Sequence, residues 1–246
     1  MKLILLGTTG YHPNDRRQTA CLMLPELGIV LDAGTAFYRV RDYLATTELD
    51  VFLTHAHLDH VVGITYLFDV VRDRDVRRVT VHALPEKITA IEQHLLAEPL
   101  FPVRPPCQFQ PLTGPMTLPG GGRLSYFPLE HPGGTIGLRL DWPGHSLAYV
   151  TDTTAAPGAS YLEAIRGVDL LVHECYFPDS MSEMASLTGH SVTSAVAELA
   201  REAEVGRLVL VHLDPLDGEP ESAKLALARG IFPSTEIATD RQEIEF

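Results

Sequence analysis

His55, His57, Asp59 and His60 place four metal-capable side chains within six residues, directly after the apolar run Val51-Phe52-Leu53. Imidazole and carboxylate are the ligands of zinc sites that keep one coordination position open for chemistry. The bland alternative is a histidine-rich polar loop, but ligand clusters this dense are uncommon in ordinary loops. Three further apolar runs lead to residues of the same type. Residues 147–151 precede Asp152, residues 170–172 precede His173 and Glu174, and residues 208–211 precede His212. Sites in α/β folds gather at the carboxyl ends of strands. Four strands that each deliver His, Asp or Glu therefore predict one convergent site. His131 follows a further strand, in the loop Leu129-Glu130-His131-Pro132-Gly133-Gly134, and is a fifth source. His12, His82, His94 and His145 lack such company and are expected to be structural or exposed, His94 on the polar side of a helix and His145 in a turn.

The elements that must position these residues follow from periodicity. Strands are expected over 3–6, 20–24, 28–31, 50–54, 79–81, 123–129, 135–140, 146–151, 169–172 and 207–211. Helices are expected over 38–45, 61–71, from Pro85 with Ile88, Ile91 and Leu95 on one face, over 159–166, and over 192–202 with Ser191 as N-cap. Residues 99–122 are dense in proline and glycine and read as a connector between two αβ halves. The expected fold class is α/β, two sheets packed together with helices outside, in a single domain over 1–246.

Composition narrows the function classes. The chain has 246 residues, 45% of them apolar, and no run approaches the ~18 apolar residues that span a bilayer. The apolar run after Met1 is too short for a signal peptide and reads as the first strand. Cys21, Cys107 and Cys175 are odd in number and scattered, which fits a reduced, cytoplasmic setting. A formal net charge of −13 argues against broad nucleic-acid binding, which depends on neutralising phosphates.

The order T-H-x-H-x-D-H, then a distant His, then T-D-T, then a C-terminal His resembles the metallo-β-lactamase fold superfamily over nearly the whole chain. Gly7-Thr8, Asp32-Ala33-Gly34, Thr151-Asp152-Thr153, His173-Glu174, Gly189-His190-Ser191 and Val211-His212-Leu213-Asp214-Pro215 are similar to the phosphodiesterase branch that contains ribonuclease Z. The resemblance implies a four-layer αβ/βα sandwich with two Zn²⁺ ions. His55, His57 and His131 would bind one ion, Asp59, His60 and His212 the other, and Asp152 would bridge them. Mn²⁺ and Fe²⁺ also enter such N/O sites, and choice in the cell follows availability. Two metals lower the pKa of bound water and neutralise a phosphoryl group. Asp59 would orient the nucleophile, His190 would serve the leaving oxygen, and Glu174 would orient His190.

Two departures bear on the substrate. Ribonuclease Z carries a long tRNA-gripping arm between the positions of His131 and Asp152, and here only strand, turn and strand join them, which argues against tRNA. The PhnP-type cyclic phosphodiesterases lack that arm but carry extra zinc-binding cysteines, which this chain does not supply. The expected activity is hydrolysis of a small or cyclic phosphodiester or of an RNA end, with no membrane partner. A thioesterase or lactonase of the glyoxalase II kind would keep the same seven ligands, and a non-catalytic metal-binding protein would be expected to have lost one. The resemblance leaves assembly as a homodimer open. Specificity would lie in 11–18, 98–121 and 178–188, with Arg16 and Arg17 available to clamp a phosphate.

Overall fold

Leucine- and valine-rich runs become short strands, and pairing sorts them into two mixed sheets. The computed structural model describes residues 1–246, which divide into two units, Met1–Thr113 with Thr239–Glu245 and Gly114–Ala238 with Phe246. In the first unit lie β1 (Lys2–Gly7), β2 (Cys21–Leu24), β3 (Ile29–Leu31), β4 (Glu48–Phe52), β5 (Arg78–Ala83) and β6 (Gln108–Pro111). They pair in that order, antiparallel from β1 to β3 and parallel from β3 to β6. In the second unit lie β7 (Met116–Leu118), β8 (Gly122–Leu129), β9 (Thr135–Trp142), β10 (His145–Val150), β11 (Leu170–Glu174), β12 (Arg207–Val211) and β13 (Thr235–Ile237). These too pair in chain order, antiparallel to β10 and parallel from β10 to β13. The last strand, β14 (Gln242–Glu245), pairs antiparallel with β1.

Each unit has its own apolar core. In the first, Ile4, Met23, Val30, Val51 and Val81 of the strands pack with Phe37, Val40, Val61, Ile64 and Leu67 of the helical segments. In the second, Ala148, Val150, Leu171, Leu208 and Leu210 pack with Ile165, Val196, Leu199, Ala200 and Ala228. Several helices are only four or five residues long, such as Leu58–Val61, Leu67–Val71 and Leu162–Ile165. Isolated helices that short do not persist in water. Burial at about 1.5–3 kcal/mol per large apolar side chain holds them in place.

Most strand expectations match within two residues, and the helices differ more. The expected helix over 61–71 is three pieces, Leu58–Val61, a 3₁₀ turn Val62–Tyr66 and Leu67–Val71. The break falls at Val61, whose backbone leaves the helical region at φ −131°, and Gly63 in the 3₁₀ piece packs close to the first unit's turn after β3. A Cβ there would lie 2.3 Å from Phe37 Cβ and 2.4 Å from the Gly34 carbonyl oxygen. The helix over 38–45 begins earlier, as a 3₁₀ turn Thr35–Arg39 followed by Val40–Tyr43. The connector over 99–122 contains two edge strands, β6 and β7. The segment 178–188 contains a helix, Ser182–Thr188, and His145 opens β10 instead of lying in the turn. Ser191 does not cap the helix Thr193–Glu202, whose N-cap is Val192. Its hydroxyl instead donates to the Thr153 carbonyl at 2.6 Å and accepts from Ala155 N–H at 2.8 Å.

Because its neighbours are the Phe37 Cβ and two backbone carbonyls, none of which can swing aside, Gly63 cannot be enlarged cheaply. Gly63→Ala is expected to lower stability by about 1–3 kcal/mol, read as a lower urea midpoint at unchanged m-value.

Candidate metal centre

In the first unit a buried carboxylate organises the ligand loop. Asp32 follows β3 in the left-handed region, at φ 58°. Its Oδ1 accepts the Thr54 N–H at 2.8 Å, and its Oδ2 accepts the Thr54 hydroxyl at 2.9 Å and His60 Nδ1–H at 2.8 Å. The carboxylate thereby sets the tautomer of His60 and leaves Nε2 with its lone pair. That Nε2 lies 3.4 Å from Asp59 Oδ2. His57 is the N-cap of Leu58–Val61, so Asp59 and His60 share the first turn after it. The His55 ring lies 4.5 Å from that of His57 and 4.3 Å from that of His60, centroid to centroid. His55 and His60 are buried and His57 is exposed.

The second unit repeats the device with different residues. His131 follows β8, and its Nδ1–H donates to the Gly189 carbonyl at 2.9 Å. This leaves Nε2 as acceptor, 3.5 Å from Asp152 Oδ2. Asp152 comes two residues after β10, at φ 49°, and His212 directly after β12, at φ 53°. His212 Nε2 lies 3.2 Å from Asp152 Oδ1. One potential ligand atom each from Asp152, His190 and His212 lies within 4.8 Å of the others. Gly189 is at φ 75°, and a Cβ there would lie 3.0 Å from His131 Nδ1. Only glycine brings its carbonyl to the His131 ring without strain.

Glu174, at the end of β11, is fully buried. Its Oε1 accepts the N–H groups of Thr153 and Ser191 and the Nδ1–H of His190, each at 3.1 Å, and its Oε2 accepts Tyr176 N–H at 3.0 Å. Tyr176 stacks on His190 at 4.7 Å with 21° between the rings. His173, the preceding strand residue, points the other way. Its Nδ1–H donates to the Glu174 carbonyl at 2.7 Å and its Nε2 accepts the Tyr161 hydroxyl at 3.0 Å. Burial pushes the His173 imidazole below its ordinary pKa and the Tyr161 phenol above its own, so this pair is a neutral internal contact. Burial likewise pushes the Cys175 thiol up to about 12, and its sulfur lies 3.3 Å from the Thr193 hydroxyl.

An imidazole lone pair facing a carboxylate oxygen at 3.4–3.5 Å is repulsive unless a proton or cation lies there. His60 with Asp59 and His131 with Asp152 both have this geometry, and an N/O donor set of this kind fits a divalent ion. Sequence reasoning gave Asp32, Gly189 and Tyr176 no role at the ligands. The available signals were an Asp directly after a strand and the branch-like motifs around Asp32 and Gly189. His82 is structural, since its Nε2 bonds Asp50 at 2.9 Å and its ring stacks on Phe52. Arg17 is buried, donating to the Thr8 hydroxyl at 2.5 Å, and does not offer a phosphate clamp.

Residues 29–213 match the family model described as the beta-lactamase superfamily domain, and the chain belongs to that superfamily. Ribonuclease Z of Bradyrhizobium sp. (strain ORS 278) is 30% identical, with 97% of each chain covered. That alignment spans 300 positions, more than this chain's 246 residues, so the relative carries segments with no counterpart here. Among solved structures, the metallo-beta-lactamase fold protein YhfI from Bacillus subtilis superposes with a TM-score of 0.83 at 19% identity over 99% of both chains. A diphosphatase of the PhnP family superposes with a TM-score of 0.75 at 18% identity, over 100% of this chain and 96% of that one. The chain is thus a metal-dependent hydrolase of the metallo-β-lactamase α/β sandwich fold, a family whose members bind divalent metals. No helix is long and apolar enough to cross a membrane.

Asp32 accepts the His60 Nδ1–H, the nitrogen opposite the one that faces Asp59. Asp32→Asn is expected to lower metal affinity by about 10–100-fold, measured by competition with a chromophoric chelator.

Proposed function

We propose that the protein is a dinuclear zinc phosphodiesterase acting on a small or cyclic phosphodiester or on an RNA end. The observation that carries this reading is the Glu174–His190 pair, whose imidazole belongs to the same 4.8 Å cluster as Asp152 and His212. In this reading His55, His57 and His131 would hold one ion, Asp59, His60 and His212 the second, and Asp152 would serve both, so that residues 1–246 would act as one functional domain. The ions supply charge neutralisation for a phosphoryl group and a more acidic water. Asp59 orients the nucleophile. Glu174 orients His190 by accepting a hydrogen bond from its Nδ1–H, and the opposite nitrogen, Nε2, carries the proton given to the departing oxygen. Its negative charge lies beside the ring that becomes positive while a proton is held there.

The relatives support phosphorus chemistry, one being named a ribonuclease and another a diphosphatase. The short path from His131 to Asp152, made of β9, a two-residue turn and β10, supports a substrate smaller than tRNA. Three free cysteines, two of them buried, support a reducing cytoplasmic setting.

A panel of bis-p-nitrophenyl phosphate, cyclic nucleotides, thioesters and lactones tests the bond chosen. Phosphodiester turnover that is lost on chelation and restored by Zn²⁺ is expected. Turnover of thioesters or lactones alone would overturn the reading. His57→Ala is expected to lower metal content. His190→Ala is expected to retain metal and lose about 10²–10⁴-fold in kcat, with metal analysis and steady-state kinetics run on the same preparations.

A further inference from the structure

The loop after β1 carries an aromatic side chain that nothing above uses. Tyr11 is 73% exposed, yet its backbone N–H donates to Asp59 Oδ2 at 2.8 Å. Its ring therefore lies within about one side-chain length of a ligand carboxylate, open to solvent. Tyr11 also sits at φ 58°, a left-handed conformation unfavourable for a bulky residue and one that glycine adopts freely.

The loop is not loose. Asp240 takes the Thr8 N–H at 3.1 Å, the Thr8 hydroxyl at 2.7 Å, the Gln18 N–H at 2.7 Å and the Arg39 guanidinium at 2.5 Å. Asn14 Oδ1 accepts the N–H groups of Arg16 and Arg17, each at 2.9 Å, and His12 N–H bonds the Gly10 carbonyl at 2.7 Å. Both ends of the segment are thus tied to the unit, and the backbone strain at Tyr11 is held in place by its surroundings. The bond to Asp59 needs only a main-chain N–H, which any residue but proline supplies. A glycine would make it at lower conformational cost, so the bond does not account for the ring.

We propose that Tyr11 is a substrate-binding residue, a stacking platform for a planar aromatic group of the substrate, a nucleobase or an aryl ester, beside the scissile phosphate. An exposed ring held on a rigid, strained backbone loses little freedom when a base stacks on it, and base–aromatic stacking tolerates any base. The neighbouring His12 is T-shaped to the Tyr11 ring, at 5.2 Å and 64°, so it does not lie parallel on the ring and can contact one face at most.

This proposal rests on the phosphodiesterase reading, so the test separates the two. Binding of thymidine 5′-monophosphate, phenyl phosphate and methyl phosphate to the zinc-loaded protein is measured by calorimetry, with no turnover involved. Wild type is expected to bind the two aromatic esters about tenfold more tightly than methyl phosphate. Tyr11→Phe should keep that preference. Tyr11→Gly retains the N–H to Asp59 and suits the positive φ, and it should reduce the preference to within about twofold at wild-type metal content. A preference that survives Tyr11→Gly, or none in wild type, overturns the proposal. Hydrolysis of the matching p-nitrophenyl diesters is followed in parallel. The Tyr11-dependent preference without hydrolysis would sink the phosphodiesterase reading and still support the stacking role.

Discussion

Two buried carboxylates hold the candidate ligand residues of this protein in place. Removing a carboxylate from water costs several kcal/mol, and charge-assisted hydrogen bonds return about 1.5–3 kcal/mol each. Asp32 collects three donors and Glu174 four, enough to meet that cost. Each accepts at least one backbone N–H and one imidazole Nδ1–H. The backbone bond anchors the carboxylate to the sheet, and the imidazole bond passes that anchoring to a functional ring. A loss at either carboxylate would leave buried donors unpaired as well as release the ring.

The strand ends carry a second constraint. Asp32, Asp152 and His212 all adopt positive φ just beyond β3, β10 and β12. Non-glycine residues in this region are uncommon, although Asp and His tolerate it better than most. A left-handed residue breaks the alternation of the strand and re-aims the side chain. That places a polar group at the sheet edge without giving up the apolar positions that precede it, and the strain is held by packing around it.

Close main-chain approach couples the ligand loop of the first unit to its core. The Ala33 N–H bonds the His60 carbonyl and the Gly63 N–H bonds the Ala33 carbonyl, both at 2.7 Å. The turn that carries Asp32 and the turn that carries His60 are therefore one packed element. The helix that follows is broken into 3₁₀ and α pieces at Val61, beside this close approach.

Strands and the division of labour along the chain were legible in the sequence, because apolar runs of three to eight residues leave little choice but buried strands. Candidate site residues were legible for the same reason, since His55, Asp152, Glu174 and His212 stand at the ends of apolar runs. Edge strands β6 and β7 were not, because prolines and glycines hide a strand that pairs on one side only. Nor were the close approach at Gly63 and the true role of Ser191, since each depends on an atom distant in sequence. Sequence by itself singled out the candidate residues at the strand ends and determined roughly where each strand stops. The tertiary structure decided which imidazole nitrogen is left with its lone pair, because that depends on the hydrogen bonds that Asp32, the Gly189 carbonyl and Glu174 accept from rings 16 to 58 residues away.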